Sequence, residues 1–362
     1  MSAVASLRKR FDSVEVRVAL QLAEGRRRLA GKVEKPSRWL ADSDGAQMAT
    51  DRLIAKHKAR RFTELRMPII DACSGIGADA RELSDVGPVL CIEMDPSRAV
   101  MCRHNTGRPV LETDAAELEV PPSALVHIDP ARRSGAKRIV SLGDLLPGPD
   151  AIDWIVRSAA GAAVKLMPGV DRADIDEAFA GIGGELEHVS LRGRMSQAVW
   201  WTGRLAPSDG IARATMVTDD GIESITGLAT PADALLPLGD WLYAVDPAPE
   251  RAGLLGRLAE SLGVGALHPK LGVLTSDERV ESRWLTGFRV LERMPWRVER
   301  VREAVASLGG GIVEVKTRGG AADPDRAQRE LRGTGERTLT VFVLRFGSAI
   351  EAIITERDSS RG

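Results

Sequence analysis

Cysteines, aromatic residues and long apolar runs are all scarce in this chain of 362 residues. Aromatic residues make up 4% of it, so leucine, valine, isoleucine and alanine must supply the core. Cys73, Cys91 and Cys102 lack the close paired spacing of a disulfide framework or a zinc site, so reduced thiols and no metal are expected. No apolar run reaches the roughly 20 residues of a transmembrane helix, and the N-terminus lacks an apolar secretory segment. These absences predict a soluble, cytoplasmic protein.

The net charge of −1 conceals an uneven distribution of charged residues. Residues 1–66 contain 16 lysines and arginines but only 8 aspartates and glutamates. The excess is concentrated at Arg8–Arg10, Arg26–Arg28 and Lys56–Arg61. Such clusters suit a polyanion such as nucleic acid, but they are also typical of solvated helix faces, and composition leaves both interpretations open.

Hydrophobic periodicity predicts two helices at the start of the chain, over residues 11–35 and 45–65. Their expected buried positions are Val14, Val18, Leu22 and Leu29 in the first and Met48, Leu53, Ala55, Ala59 and Phe62 in the second. From Ile69 onward, short apolar runs alternate with helical segments, which predicts a parallel, doubly wound α/β sheet. Three closely spaced apolar runs between residues 186 and 217 predict an antiparallel edge.

These patterns predict that the chain has three parts. Residues 205–240 are rich in glycine, proline, threonine and aspartate, which indicates a boundary within them. We therefore expect an N-terminal helical extension over residues 1–66, an α/β domain over 67–230 and a smaller α+β domain over 240–356.

A glycine-rich turn, Asp71-Ala-Cys-Ser-Gly-Ile-Gly77, follows the first predicted strand of the sheet. Glycine is needed where φ is positive, or where a ligand approaches the backbone with no Cβ in the way. The carboxylate of Asp71 precedes the glycines and suits S-adenosylmethionine, which carries an ammonium and a sulfonium group. Cys73, Ser74, Gly75 and Gly77 are expected to line the same site, Cys73 as a small packed residue rather than as a nucleophile.

Acidic residues also end the next three predicted strands, at the edge where ligands of open α/β sheets bind. Glu93 is placed to accept hydrogen bonds from both ribose hydroxyls, Asp114 to meet an adenine amino group, and Asp129 to lie in the crevice. The residues that follow the first two acids are expected to line the site as well: Met94 and Ala115. His127, on the strand that ends at Asp129, is expected to be packed rather than to act as a base. Acids at four consecutive strand ends indicate S-adenosylmethionine as the cofactor.

These segments resemble, in order, the motifs of class I S-adenosylmethionine-dependent methyltransferases. Asp71–Gly77 is similar to the first motif, and Cys91–Ala99 to the second, with Glu93 at the ribose-binding position. Glu112–Ala115 resembles the third motif and Asp129–Arg132 the fourth. The resemblance covers about residues 67–205 and implies a Rossmann-like fold.

The fourth motif is where the resemblance places the chemistry. Relatives that methylate exocyclic amines of bases carry Asp or Asn, Pro, Pro and an aromatic residue there, whereas this chain has Asp129-Pro130-Ala131-Arg132. Asp129 and Pro130 are expected to position the acceptor, and Arg132 to stack on a base or grip a phosphate. Three further basic residues are interpreted as substrate contacts: Arg133, Lys137 and Arg138.

Two other stretches resemble parts of RNA-modifying enzymes. Residues 49–62 are similar to the helix that precedes the fold in RNA cap-guanosine and related methyltransferases. Tyr243–Gly253 and Glu314–Gly319 resemble the THUMP-like domain that follows such enzymes in bacteria. THUMP domains bind structured RNA, so the resemblance implies an RNA partner, with Lys316 and Arg318 either as phosphate contacts or as solvated residues.

The sequence therefore predicts a methyltransferase that modifies a nucleobase in RNA. Two alternatives stay open: a methyltransferase of the same fold that acts on protein or a small molecule, and a catalytically inactive cofactor-binding protein that interacts with RNA. Neither a membrane nor a metal is expected to take part.

Overall fold

The computed structural model of the chain describes residues 7–132, 142–229, 232 and 234–358. It separates into two compact units, one comprising Met1–Ile211 with Val217–Glu223 and the other Ala212–Met216 with Ser224–Gly362. The three-part division expected from the sequence stays a prediction. None of the described helices is long and apolar enough to cross a membrane.

Helix α1 (Ser13–Leu29) begins with a capping box, in which Asp12 accepts from the backbone N–H of Glu15 and the Glu15 side chain accepts from that of Asp12. Its buried residues include Gly25 and Leu29, whereas Val14 and Val18 are exposed. The sequence prediction for these two valines is therefore wrong. A Cβ on Gly25 would lie 2.3 Å from the carbonyl oxygen of Ala41, so the helix packs closely against Ala41 at this glycine. Val14 and Val18 lie on the exposed side of the helix.

The second predicted helix is in fact two helices, α2 (Ser43–Met48) and α3 (Arg52–Thr63). Asp51 starts α3, because its side chain accepts a hydrogen bond from the backbone N–H of Leu53. Met48 is exposed and Leu53 is half-buried, contrary to prediction. The buried face of α3 consists of Ile54, Ala55, Lys58, Ala59 and Phe62. A lysine thus occupies the middle of an otherwise apolar face.

Strands and helices then alternate as predicted. The helices are α4 (Ala78–Leu83), α5 (Pro96–Thr106), α6 (Pro149–Ser158) and α7 (Arg172–Ala178). The strands are β1 (Ile69–Ala72), β2 (Val89–Ile92), β3 (Val110–Leu111), β4 (Leu125–Ile128), β5 (Ala131–Arg132), β6 (Leu145–Leu146), β7 (Gly161–Leu166), β8 (Glu185–Leu191), β9 (Arg194–Trp201), β10 (Ala212–Thr218) and β11 (Gly221–Gly227). β5 and β6 form a separate two-stranded ribbon, which the sequence did not predict.

The main sheet has the order β11-β10-β8-β9-β7-β4-β1-β2-β3. β1 pairs in parallel with both β2 and β4, and β4 with β7. β9 runs antiparallel to β7 and β8, which confirms the predicted doubly wound sheet with an antiparallel edge. The strand order reverses at β1, so the loops that leave β1 and β4 diverge and open a crevice at the carboxyl edge of the sheet.

The two adjacent tryptophans of β9 fill opposite faces of the sheet, because successive strand residues alternate. Trp200 stacks on Phe179 with ring centroids 4.8 Å apart. Trp201 lies on the other face, packed against Phe62 and covered by the guanidinium of Arg61 at 4.3 Å. Helix α3 is thereby seated on the sheet.

Polar contacts also hold α3 against strands β8 and β9. Arg61 pairs with the buried carboxylate of Glu185. The Nε2 atom of His57 lies 2.8 Å from Oε1 of Glu187, whose other oxygen accepts from the indole N–H of Trp201 at 2.8 Å. Part of the basic cluster Lys56–Arg61 therefore faces the protein interior, and only Lys56 and Arg60 of its members are exposed.

The second unit is a smaller α+β arrangement, as predicted. Its elements are β12 (Trp241–Val245), α8 (Pro247–Arg251), α9 (Leu255–Leu262), β13 (Gly265–Ala266), β14 (Val273–Ser276), β15 (Leu285–Pro295), α10 (Val298–Ser307), β16 (Gly310–Arg318), α11 (Pro324–Leu331), β17 (Arg337–Phe346) and β18 (Ala349–Arg357). They form a seven-stranded sheet of order β13-β14-β12-β15-β18-β17-β16, in which β16 and β17 pair in parallel. Helices α10 and α11 pack on it through Val301, Val305, Ala327 and Leu331.

Replacing Arg61 with methionine should lower the free energy of unfolding by about 3 kcal/mol, since the variant keeps most of the packing on Trp201 but leaves the buried Glu185 without this guanidinium. Arg60→Met is the matched control on the exposed side of the same helix and should change stability by less than about 0.5 kcal/mol. Urea unfolding followed by tryptophan fluorescence measures both. Equal stabilities of the two variants would contradict a stabilising role for the ion pair between Arg61 and Glu185.

Candidate functional site

The turn after β1 requires glycine at two positions for different reasons. Cys73, Gly75 and Gly77 have φ angles of 60°, 55° and 89°, all in the left-handed region. A Cβ on Gly75 would meet open space, so only its backbone conformation demands glycine. A Cβ on Gly77 would lie 2.6 Å from Cγ2 of Thr106 on α5, so this residue also allows the close approach of two helices.

Glu93, at the end of β2, closes this turn. Its Oε2 accepts from the backbone N–H of Gly75 at 2.8 Å, and its Oε1 from that of Asp95 at 2.9 Å. The carboxylate is buried. Each oxygen retains a lone pair, so the group can still accept hydrogen bonds from a ligand while it holds the turn in place.

A cavity of about 550 Å³ lies at the carboxyl edge of the sheet. Most of the cofactor-binding residues predicted from the sequence line it: Asp71, Cys73, Ser74, Gly75, Glu93, Met94, Asp114 and Ala115. Gly77 does not line it and instead starts α4. Met48, Ala49 and Thr50 also line it, so residues that precede the sheet contribute to the cavity. The volume falls in the range of small-molecule sites, roughly 300–1,000 Å³.

The predicted catalytic loop is described only in part. Asp129 lines the cavity and is partly exposed, while Pro130 is buried. The backbone of Arg132 pairs with Leu145 in the β5–β6 ribbon. The side chain of Arg132, together with Arg133, Lys137 and Arg138, lies outside the described residues.

A series of hydrogen-bonded polar side chains runs along the wall of the cavity. Asp71 Oδ1 lies 2.6 Å from Nδ1 of His127, and Nε2 of His127 lies 2.8 Å from Nζ of Lys58. The ammonium of Lys58, 1% exposed, lies 2.7 Å from Oδ1 of Asp79. One histidine and one lysine thus connect the carboxylates of β1 and α4.

The same series continues to the predicted catalytic loop. Oδ2 of Asp79 accepts from the Thr50 hydroxyl at 2.7 Å, and Lys165 donates to Thr50 Oγ1 at 3.2 Å. Lys165 also donates to Oδ2 of Asp129 at 2.6 Å. Asp129 is therefore held in an ion pair rather than free. We call the seven side chains connected in this way the polar relay, in the order of their contacts: Asp71, His127, Lys58, Asp79, Thr50, Lys165 and Asp129.

Burial and neighbouring charges shift the pKa values of the polar relay in opposite directions. Burial raises the pKa of Asp71 and outweighs the hydrogen bond from His127. Burial alone would also raise the pKa of Asp79, but Lys58, His127 and Lys165 together outweigh it and hold that pKa well below its usual value. Burial would lower the pKa of Lys165, but Asp129 and Asp79 raise it, so Lys165 stays protonated and cannot serve as a base.

The cysteine in the turn is not suited to nucleophilic chemistry. Burial, together with the carboxylates of Asp129 and Glu93, raises the pKa of the Cys73 thiol. The thiol therefore stays protonated at neutral pH, whereas nucleophilic attack requires the thiolate. In the described part of the chain, no group of three or more His, Cys, Asp or Glu side chains is arranged to hold a metal ion.

Four members of the polar relay were not predicted from the sequence: Thr50, Lys58, Asp79 and Lys165. A signal existed for Lys58, which lies four residues after Ile54 and four before Phe62 on the buried face of α3. It was hidden because Lys58 also belongs to a basic cluster that looks solvated. Lys165 interrupts the apolar run of β7, which was a second available signal.

Comparison with known proteins supports the class that this site indicates. Residues 285–357 match the THUMP domain-like family. An uncharacterised S-adenosylmethionine-dependent methyltransferase of Mycobacterium tuberculosis is 34% identical over 342 residues, which is 91% of this chain and 93% of the relative. A Porphyromonas gingivalis W83 protein, proposed to be a methyltransferase, has a crystal structure with a TM-score of 0.77 at 16% identity, covering 97% of this chain and 92% of that one. The last likeness concerns the fold.

A Rossmann-like sheet, a cofactor cavity at its switch point and a C-terminal THUMP-like domain define a class I methyltransferase architecture. The chain belongs to the S-adenosylmethionine-dependent methyltransferase family. The predicted fold class, enzyme class and cofactor are thereby confirmed. The residues present fit that cofactor, because Asp71 lines the cavity and its buried Oδ2, without a hydrogen-bond partner among the described residues, can accept from a cationic group.

Asp71→Asn and Asp79→Asn should change stability in opposite directions. The folded-state pKa of Asp71 is raised, so its contribution is present below the unfolded pKa and is lost as pH rises. Asparagine cannot ionise and still accepts from His127, so Asp71→Asn should be at least as stable as the wild type at neutral pH.

The folded-state pKa of Asp79 is lowered, so its contribution is present above the unfolded pKa and is lost as pH falls through the folded value. Asp79→Asn should therefore cost about 3 kcal/mol at neutral pH, with the difference shrinking in acid. Thermal unfolding of both variants between about pH 2 and 8, a range that extends below the unfolded pKa of aspartate, gives the comparison. Equal destabilisation by the two changes at neutral pH would refute this account of the polar relay.

Proposed function

We propose that this methyltransferase transfers the methyl group of S-adenosylmethionine to a nucleobase in RNA. The observation that carries this proposal is the THUMP-like domain at residues 285–357, on the same chain as the cofactor cavity. THUMP domains bind structured RNA, so the domain supplies a reason for an RNA substrate that the catalytic fold alone does not.

The cofactor supplies an electrophilic methyl group, and the residues of the chain position it. Glu93 holds the ribose hydroxyls, since its two oxygens retain free lone pairs at the end of β2. Asp114 meets the adenine, with Met94 and Ala115 beside it in the cavity. Asp71 and the glycine turn hold the methionine end. Cys73 and Ser74 complete the wall as small packed residues.

The acceptor is positioned by the loop after β4. Lys165 holds the carboxylate of Asp129 at the cavity wall, and Pro130 stiffens the backbone that follows. Methyl transfer is an in-line displacement, so orientation of the acceptor contributes more than proton abstraction. Arg132, Arg133, Lys137 and Arg138 bind the substrate through phosphates or by stacking on a base.

In the C-terminal unit, Arg318 is the better candidate for a phosphate contact. It lies exposed at the end of edge strand β16 and has no acidic partner within residues 234–358. Lys316 instead pairs with Glu314 at 2.6 Å, so its charge is partly neutralised. A substrate made of protein or a small molecule is the alternative, and it would not require this surface.

Glu93→Ala should weaken S-adenosylmethionine binding by about 10-fold to 100-fold, because it removes hydrogen bonds to a charged acceptor and releases the turn. Glu112→Ala is the control, since Glu112 is exposed and pairs with Arg103 on the surface. Isothermal titration calorimetry on folded protein measures both. Equal affinities of the two variants would exclude Glu93 as the ribose ligand.

Deletion of the gene should remove one methylated nucleoside from cellular RNA. Wild-type protein should restore it, and Asp129→Ala should not, because the acceptor is no longer positioned. Asp153→Ala, a change at a surface ion pair with Arg157, is the control and should restore it fully. Mass spectrometry of digested RNA from these strains provides the measurement. An unchanged nucleoside profile would reject the RNA substrate and leave a protein or a small molecule as the methyl acceptor.

A further inference from the structure

A second cavity, of about 670 Å³, lies beside helix α4. Residues that precede the sheet form part of its wall, and α4 and the end of α5 supply the rest. Thr50 and Ala78 line both this cavity and the cofactor cavity, so the two lie side by side. We call the second cavity the basic groove, after the lysine and arginine residues that line it: Arg26, Lys35, Arg38, Arg52 and Arg81.

Two of these arginines are paired with the carboxylates of the basic groove. Nε of Arg52 lies 3.1 Å from Oε1 of Glu82, and its Nη2 lies 3.5 Å from Oε2 of Glu34. Arg81 pairs with Asp85 at 3.2 Å. Every carboxylate among the described lining residues therefore already has an arginine partner.

The other three cations of the basic groove have no acidic partner within the described part of the chain: Arg26, Lys35 and Arg38. Arg26 is half-buried, and its Nε donates to the carbonyl oxygen of Trp39 at 3.0 Å, which holds the guanidinium against the wall. Lys35 and Arg38 are exposed. The described lining side chains thus carry five positive charges against three negative ones, and the unpaired charges all lie on residues 26–38.

The segment that carries Lys35 and Arg38 is fixed to helix α5. The side chain of Asn105 accepts from the backbone N–H of Leu40 at 2.9 Å and donates to the carbonyl oxygen of Leu40 at 2.8 Å. Nε2 of His104 lies 3.1 Å from the carbonyl oxygen of Arg38. Because the backbone is held in place before any ligand arrives, a ligand that binds here orders less of the chain, which favours binding.

An RNA strand suits the basic groove better than a compact anion does. Lys35 and Arg38 are exposed and come from a different segment than Arg26, so the cations do not enclose one small ligand. A phosphate backbone repeats its negative charge along the strand, stays partly in solvent and is bound by grooves of this kind. Since Thr50 and Ala78 also line the cofactor cavity, a strand bound here has its neighbouring nucleotides close to the cofactor.

We propose that the basic groove binds the phosphate backbone of the RNA substrate, with Arg26, Lys35 and Arg38 as the phosphate contacts. The proposal rests on the RNA substrate proposed above. It adds an RNA site on the unit that holds the cofactor cavity, so RNA recognition does not depend on the THUMP-like domain alone.

The test measures methylation of RNA from the deletion strain by purified full-length protein with radiolabelled S-adenosylmethionine. Lys35→Gln/Arg38→Gln should raise the KM for RNA about tenfold and change kcat by less than about twofold, because phosphate contacts hold substrate and transition state alike. The slope of log kcat/KM against log salt should become shallower by about 1.5, or about 0.7 to 0.9 for each lost contact. The KM for S-adenosylmethionine should not change.

Lys56→Gln/Arg60→Gln is the matched control, since it removes one lysine and one arginine from exposed positions of α3 outside the basic groove. It should leave the KM for RNA and the salt slope unchanged. Equal effects of the two double variants, no effect of either, or a parallel rise in the KM for S-adenosylmethionine would overturn the basic groove as an RNA site while the RNA substrate stands. Absence of RNA methylation by the wild-type protein would overturn both.

Discussion

The burial of Lys58 beneath the cofactor cavity is the constraint on which the rest of the site depends. An ammonium group in an apolar face of α3 is tolerated only because His127 and Asp79 meet it at 2.8 Å and 2.7 Å. Those contacts fix the last turns of the extension against β4 and α4, and through Thr50 and Lys165 they fix Asp129. The N-terminal extension is therefore a structural component of the catalytic unit rather than an appendage.

The methyltransferase sheet could be predicted from the sequence because its signals are local. The turn Asp71–Gly77 and the acids at 93, 114 and 129 are read from spacing along the chain, and parallel topology brings strand ends together without further information. The antiparallel edge likewise follows from closely spaced strands. The turn, the strand-end acids and the antiparallel edge are each recognised from a few residues close together in the sequence.

The polar relay could not be predicted, because it joins residues separated by up to 115 positions, the distance between Thr50 and Lys165. A lysine in sequence looks solvated, and only tertiary packing decides that Lys58 is buried. The same reason explains why Val14 and Val18 of α1 were wrongly predicted to be buried. The close approach of Gly25 to Ala41 is a tertiary contact that the sequence does not show. For the same reason the sequence could not show that Lys58 and Arg61 of the basic cluster Lys56–Arg61 make buried ion pairs.

The packing of Gly77 against α5 has an evolutionary consequence. Since Cβ at this position would meet Thr106 at 2.6 Å and Cys102 Sγ at 3.1 Å, positions 77, 102 and 106 share one small volume. A side chain can enter at one of them only if another shrinks, so the three positions should not drift independently among homologues. Even then the left-handed backbone at 77 would penalise any residue but glycine, which makes the residue at 106 the freer partner in that covariation.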